Sequence, residues 1–348
     1  MIYRIDPTKD LRWTEFVKRH PKASVFHSVG WLQALQSTYG YEPLVFTTSP
    51  PTEELKNGLV VCRVESFITG RRLVSLPFSD HCEPLCDSNE ESDYLICNFQ
   101  AALENQKLKY VEVRPTDDNF SQTLEKNKFQ PVTKYFLHTL SLIPDLPELF
   151  RGFDKDCVQR RIRRAERACL VERCGRSEEL LKDFYGLFTL TRARHQLPPI
   201  PYAWFRNLVL FQGEALEIRV AYKDETPISA ILTLQFKETV YYKYGCSDVR
   251  FNKFGATPWL FWKAMVAAKT RGAREFDLGR TEEDNLGLLA FKNRWAPRPR
   301  SLIYWRYPIG SSLVSVTGWK LKMAKRVFSC LPNSILNIIG HLVYRHIG

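Results

Sequence analysis

The sequence predicts a two-domain α/β protein built by internal duplication, and three observations carry that expectation. The chain has 348 residues, enough for two domains of ordinary size. Its composition, 44% hydrophobic and 25% charged, is usual for a soluble globular chain. The order of elements also repeats. Gly58 to Arg114 reads strand, turn, strand, loop, helix, strand, and Ile228 to Arg280 reads the same way. The two closing strands rhyme, Val111-Glu112-Val113-Arg114 against Phe276-Asp277-Leu278-Gly279-Arg280.

Taken in order, Met1 to Ile5 reads as a short strand, Lys9 to Arg19 as a helix, and Val29 to Tyr39 as a second helix with Trp31, Leu32 and Leu35 on one face. Leu44 to Thr48, Gly58 to Glu65 and Arg72 to Leu76 read as strands, the last two joined by the Thr69-Gly70-Arg71 turn. Leu95 to Asn105 is a helix and Tyr110 to Arg114 a strand; Phe129 to Leu142 closes the first domain, with His138 and Thr139 in an alternating run. Residues 144–153, with prolines at 144 and 147, read as a linker. The expected domains are 1–143 and 144–310, followed by a tail at 311–348.

The second domain opens on a run from Lys155 to Arg167 in which, with Asp154, six cations meet three acids. On a helix, Arg160, Arg163, Arg164 and Arg167 share a broad face. Guanidinium forks match phosphate oxygens in pairs, so Arg160 and Arg164 are candidate substrate-binding residues; a solvated helix surface is the plainer reading. Glu178 to His195 and Tyr202 to Gln212 follow as helices, then strands at Leu216 to Tyr222, Ile228 to Phe236 and up to Tyr244. Gly245 to Gly255 reads as a loop carrying Arg250 and Lys253. Thr257 is a candidate N-cap with Pro258 as first helical residue, Gly272 a stop, and Arg274 to Leu278 a short buried strand. A strand, a glycine-bearing loop and a helix N-terminus make a ready anion site, because unsatisfied N–H groups and the helix dipole converge there. Leu302 to Tyr307 is a last strand.

The local wording Tyr244-Gly245-Cys246-Ser247, Pro258-Trp259-Leu260, Phe276-Asp277-Leu278-Gly279 and Phe291-Lys292 resembles the FemAB-like family. The likeness covers about residues 1–308. It implies two tandem GNAT-like folds of the acyl-CoA N-acyltransferase type; residues 311–348 read separately as a tail of two short helices broken at Pro332. It also implies transfer of an acyl or aminoacyl group to an amine of a cell-envelope precursor, of peptidoglycan or exopolysaccharide. The donor would be aminoacyl-tRNA or acyl-CoA, with no permanently bound cofactor. The lysine of the Phe-Lys pair would help the transfer, so Lys292, Phe291 and Tyr244 are the candidate catalytic residues. Lys292 as an exposed helix residue is the alternative. One departure stands out. Acyl-CoA-using relatives carry Gln/Arg-x-x-Gly-x-Gly/Ala before the helix, and this chain has Arg250-x-x-Lys253-x-Gly255. A side chain at Lys253 would crowd the wrap around a pyrophosphate, while its charge could hold one. Arg250, Lys253 and Gly255 therefore join the substrate-binding candidates.

In the first domain the matching loop is Pro77 to Leu85, where Asp80 and His81 either close a turn or line a substrate groove. Side chains adjacent in sequence diverge, so they form no dyad, and no Gly-x-Ser-x-Gly or Ser-x-x-Lys pattern supports a nucleophile. Nine cysteines without Cys-x-x-Cys spacing fit reduced thiols better than zinc, so no metal is expected. Glu282, Glu283 and Asp284 read as a helix start capped at Asp284 or Asn285. A net charge of +12 suits a phosphorylated envelope or polysaccharide precursor and aminoacyl-tRNA; DNA is not expected. Residues 311–348 hold five Lys or Arg and no Asp or Glu, among many apolar residues. That tail either lies on an anionic membrane or packs on the protein. Charges at Asp6, Lys9, Asp10 and Arg12 interrupt any signal-peptide core, and no stretch of 18 apolar residues exists. The expected place is the cytoplasm, with peripheral contact at the inner face of the membrane. The rival class is a non-catalytic scaffold of a polysaccharide export system, with Lys253 as its support.

Overall fold

Alternating β-branched and aromatic runs become twelve strands among the described residues, which are 1–103, 106–295, 299–307 and 343–346 of a computed structural model. The chain falls into two units. The first joins Met1–Tyr135 to the last strand and to the turn at 343–346; the second is Phe136–Arg300.

The first unit contains β1 (Tyr3–Ile5), α1 (Leu11–Arg19), α2 (Val29–Tyr39), β2 (Glu42–Thr47), β3 (Leu59–Ser66), β4 (Gly70–Val74), α3 (Asn89–Leu103), β5 (Tyr110–Val113) and α4 (Asp118–Lys126). Asp10 caps α1 by accepting from the Arg12 N–H, and Ser28 caps α2 the same way through Trp31. The strands run antiparallel from β1 to β4, and β4 then pairs with β5 in parallel. That parallel step needs a crossover, which α3 supplies with Leu95, Ile96 and Phe99 buried. Helix α4 and the early start of α3 go beyond the elements that the sequence pattern predicts.

In the second unit the linker expected at 144–153 is mostly helical. After β6 (Gln130–Ser141), which leads out of the first unit, come α5 (Leu146–Gly152), a π-turn at Lys155–Gln159, α6 (Arg160–Arg167), β7 (Val171–Gly175), α7 (Glu178–Arg194) and α8 (Tyr202–Gln212). Strands β8 (Leu216–Lys223), β9 (Thr226–Phe236) and β10 (Thr239–Ser247) come next, then a 3-10 turn at Val249–Phe254, α9 (Ala256–Thr270), β11 (Glu275–Glu282) and α10 (Leu286–Asn293). Strand β12 (Arg300–Tyr307) pairs antiparallel with β5. The sheet of this unit runs β7-β8-β9-β10 antiparallel, then β10-β11 parallel. Helix α7 covers one face, through Leu181, Phe184 and Phe188. Helix α9 covers the other through Leu260, Phe261, Ala264 and Ala268. The two units thus repeat one plan, as the element order predicts.

The tail expected at 311–348 lies outside the described residues except for the turn at 343–346. There Tyr41 donates to the Tyr344 and Arg345 carbonyls at 3.1 and 3.0 Å, and Arg72 to the His346 carbonyl at 2.9 Å. No described helix is long and apolar enough to cross a membrane.

Candidate active site

The antiparallel ladder of β9 and β10 slips by one residue between Tyr242 and Tyr244, leaving Lys243 outside the paired register. The parallel pairing of β10 with β11 runs only from Thr239–Glu275 to Tyr241–Asp277. Two residues on, Gly279 takes a left-handed backbone (φ 74°), with its N–H on the Asp277 carboxylate at 2.6 Å. Beyond these points the two strands are no longer paired.

A cleft of about 220 Å³ lies at the N-terminus of α9, lined by the π-turn, α6, the ends of β9 and β10, and α10. Gly255 begins it. Its φ of 76° favours glycine, and a Cβ there would collide with the Arg161 carbonyl oxygen and come within 3.0 Å of its carbon. Gly255 is therefore the N-cap, with no side chain to offer. Among the described residues the N–H groups of Ala256 and Thr257 have no acceptor, and Pro258 has no N–H. Thr257, expected as the cap, is the second helical residue, and its hydroxyl meets that of Ser229 at 2.8 Å. Arg161 and Arg294 reach the same cleft, and neither guanidinium has a hydrogen bond or ion pair among the described residues. Two unsatisfied amides, a helix dipole and two arginines, of which Arg294 also bears on the Asp154 carboxylate, suit a phosphate group. The π-turn contributes Cys157 and Val158 to the wall, and such turns recur at functional sites.

Of the candidate catalytic and substrate-binding residues, Gly255 and Phe291 line this cleft, with Ser247, Thr257 and Pro258 of the quoted motifs beside them. The others do not. Lys292 is buried, 2% exposed, and its ammonium donates to the Gly279 and Arg280 carbonyls at 2.8 and 2.7 Å. That corrects the alternative reading, since it is not an exposed helix residue; its charge is held against the kink of β11. Tyr244 lies on the opposite face of the sheet. It accepts from Trp204 Nε1 at 2.9 Å and packs edge-on against Phe188 and Phe205, whereas Tyr242 packs on Phe261 of α9. Arg160 is exposed and paired with Asp156 at 2.8 Å, and Arg164 donates to the Lys253 carbonyl at 3.2 Å. Arg250 is bound to Asp248, whose carboxyl it holds below the usual range. The Lys253 ammonium sits over the Phe254 ring outside the cleft, so it does not crowd the space before α9. Asp80 and His81 belong to the first unit. The Asp80 carbonyl accepts from Tyr304 at 2.5 Å, and His81 is buried edge-on against Phe26.

Residues 156–293 match the family described as the acetyltransferase (GNAT) domain. The match runs through the second unit to α10, and that stretch is similar to a GNAT acyltransferase domain. No curated protein matches the chain. Among solved structures, FemX is similar over 91% of this chain and 99% of its own, at 14% identity and a TM-score of 0.71. L-PGS from Bacillus licheniformis is similar over 93% and 98%, at 13% identity and 0.58. A tandem GNAT protein from the clavulanic acid biosynthesis pathway is similar over 90% and 99%, at 10% identity and 0.56. The tandem GNAT fold therefore extends over both units, and the FemAB-like resemblance holds for the fold. Within the second unit, sequence reasoning missed Arg161, Arg294 and Ser229 as cleft residues. The usable signal was the glycine of Lys253-Phe254-Gly255 immediately before a helix.

Proposed function

We propose that this acyltransferase takes an acyl group from a phosphate-bearing thioester, acyl-CoA, and passes it to a primary amine of a cell-envelope precursor. One observation supports the donor reading above the rest. The cleft brings the Ala256 and Thr257 amides together with Arg161 and Arg294, whose guanidiniums make no hydrogen bond or ion pair among the described residues. That Lys253 is not among the lining residues supports this reading against the Arg250-x-x-Lys253-x-Gly255 departure. The acceptor class rests on the resemblance to FemAB-like transferases.

The chemistry asks little of side chains. The neutral amine attacks the thioester carbonyl carbon, an oxyanion forms, and its collapse expels the carrier thiolate while the amine loses a proton to solvent or to that thiolate. The protein's part is to hold the carrier phosphate at the start of α9 and the acyl end between the separating strands β10 and β11.

The test is isothermal titration with coenzyme A, followed by mass spectrometry of nucleotide- and lipid-linked envelope precursors incubated with acetyl-CoA. Saturable binding and a precursor heavier by one acyl group are expected. Binding to neither coenzyme A nor any acyl-CoA would overturn the donor reading. A mass gain only with aminoacyl-tRNA would move the donor to that class, for which the exposed arginines of α6 would then be the contact.

A further inference from the structure

We infer that the last turn of α10 is a clamp that aims Phe291 and Arg294 into the cleft, and that Lys292, Asn293 and His138 are its positioning residues. The inference rests on the reading of the cleft as the donor site. Phe291 and Arg294 are three residues apart and face the cleft together. The two residues between them point elsewhere and are tied. Lys292 donates to two carbonyls at the kink of β11. Asn293 Oδ1 accepts from His138 Nε2 at 2.9 Å, which fixes the histidine as the tautomer protonated on Nε2. His138 is fully buried, its Nδ1 has no partner among the described residues, and burial lowers its pKa, so it remains a neutral donor.

A fourth tie runs to the opposite wall. The Arg294 carbonyl accepts from the Asp154 N–H at 2.9 Å, and the Asp154 carboxylate caps the π-turn through the amides of Asp156 and Cys157. One helical turn is thus fixed to β6, to β11 and to the π-turn. The two side chains it presents share the cleft with Cys157 and Arg161. None of Lys292, Asn293 and His138 lines that cleft. Their effect on the donor must pass through Arg294, Phe291 and the π-turn.

The test uses the full-length protein and two readouts. Coenzyme A affinity is measured for wild type, Asn293→Ala, His138→Phe, Arg294→Ala and the Asn293→Ala/Arg294→Ala double variant, with melting temperatures beside each. Asn293 is exposed, so its truncation leaves a folded protein even where His138→Phe does not. Asn293→Ala should weaken binding about tenfold, about 1.4 kcal/mol, and the double variant should lose little more than Arg294→Ala alone. Fully additive losses, or unchanged affinity in Asn293→Ala, would overturn the clamp. The second readout is the alkylation rate of Cys157, followed on its own peptide by mass spectrometry. It should rise in Asn293→Ala with no donor present. If wild type binds no coenzyme A, the donor reading falls and this rate alone decides the clamp; an unchanged rate would overturn it.

Discussion

Gly255 stands against the Arg161 carbonyl so closely that the turn before α9 and the backbone of α6 leave no room for a Cβ. The left-handed backbone adds about 1–2 kcal/mol against any L side chain. Gly255→Ala should therefore lower stability by at least about 2 kcal/mol, read by chemical denaturation, and abolish coenzyme A binding. A Gly255→Ala protein of wild-type stability would mean that α6 and α9 are not held at this separation.

Lys292→Met should be a stability variant. It leaves two carbonyls at the kink of β11 without their donor in a buried place, a cost of about 1–3 kcal/mol. The melting temperature should fall by several degrees, with turnover falling alongside. Unchanged melting with depressed turnover would return Lys292 to the reacting centre.

The arginines separate by position. Arg161→Ala and Arg294→Ala should each weaken coenzyme A binding by about 10- to 100-fold, as expected for loss of a charge-assisted contact of about 1.5–3 kcal/mol. Arg160→Glu should do little, since Arg160 faces solvent and already pairs with Asp156. Equal losses at Arg160 and Arg161, by titration at one salt concentration, would show that the phosphate is bound on the outer face of α6.

A pH effect comes from the first unit. His27 is fully buried. It accepts from the Ser24 N–H on Nδ1 and donates from Nε2 to the Glu83 carbonyl at 2.7 Å, and burial lowers its pKa to about 4. A second proton would face the Ser24 N–H. The folded state thus takes up that proton less readily than the unfolded chain, so stability is full above about pH 6.5 and falls as the pH drops toward 4. The contribution is at most about 3 kcal/mol. Glu83, whose carboxyl burial pushes up, works in the opposite sense and reduces the net loss. His27→Gln should flatten the melting curve between pH 6.5 and 4; an unchanged slope would assign the effect elsewhere.

The repeat and the tandem fold are legible because order and length of elements survive in the sequence. Gly255 and Phe291 are legible because one precedes a helix and the other sits in a recognisable pair. The misplacements have local causes. Read as one α-helix, the run from Lys155 puts Arg160 and Arg164 foremost. A π-turn at Lys155–Gln159 carries an extra residue per turn and shifts the phase of α6, and Arg161 is the residue that enters the cleft. Simple alternation along β10 puts Tyr244 on the site face. The slip at Lys243 breaks that alternation, so Tyr242 faces α9 and Tyr244 the other side. Lys292 finds its carbonyls on a strand that ends before its helix begins, a pairing that no short-range pattern contains.

The open mouth of the cleft has a consequence for the proposed donor. The cleft opens to solvent at the start of α9, between the π-turn and α10. On the proposed reading, a carrier held there by a phosphate and by its acyl end would leave the rest of its length to the solvent. Discrimination is then concentrated at the two ends of the handle. A lineage sharing this chassis can change the vehicle that brings the acyl group without rebuilding the place where it is handed over.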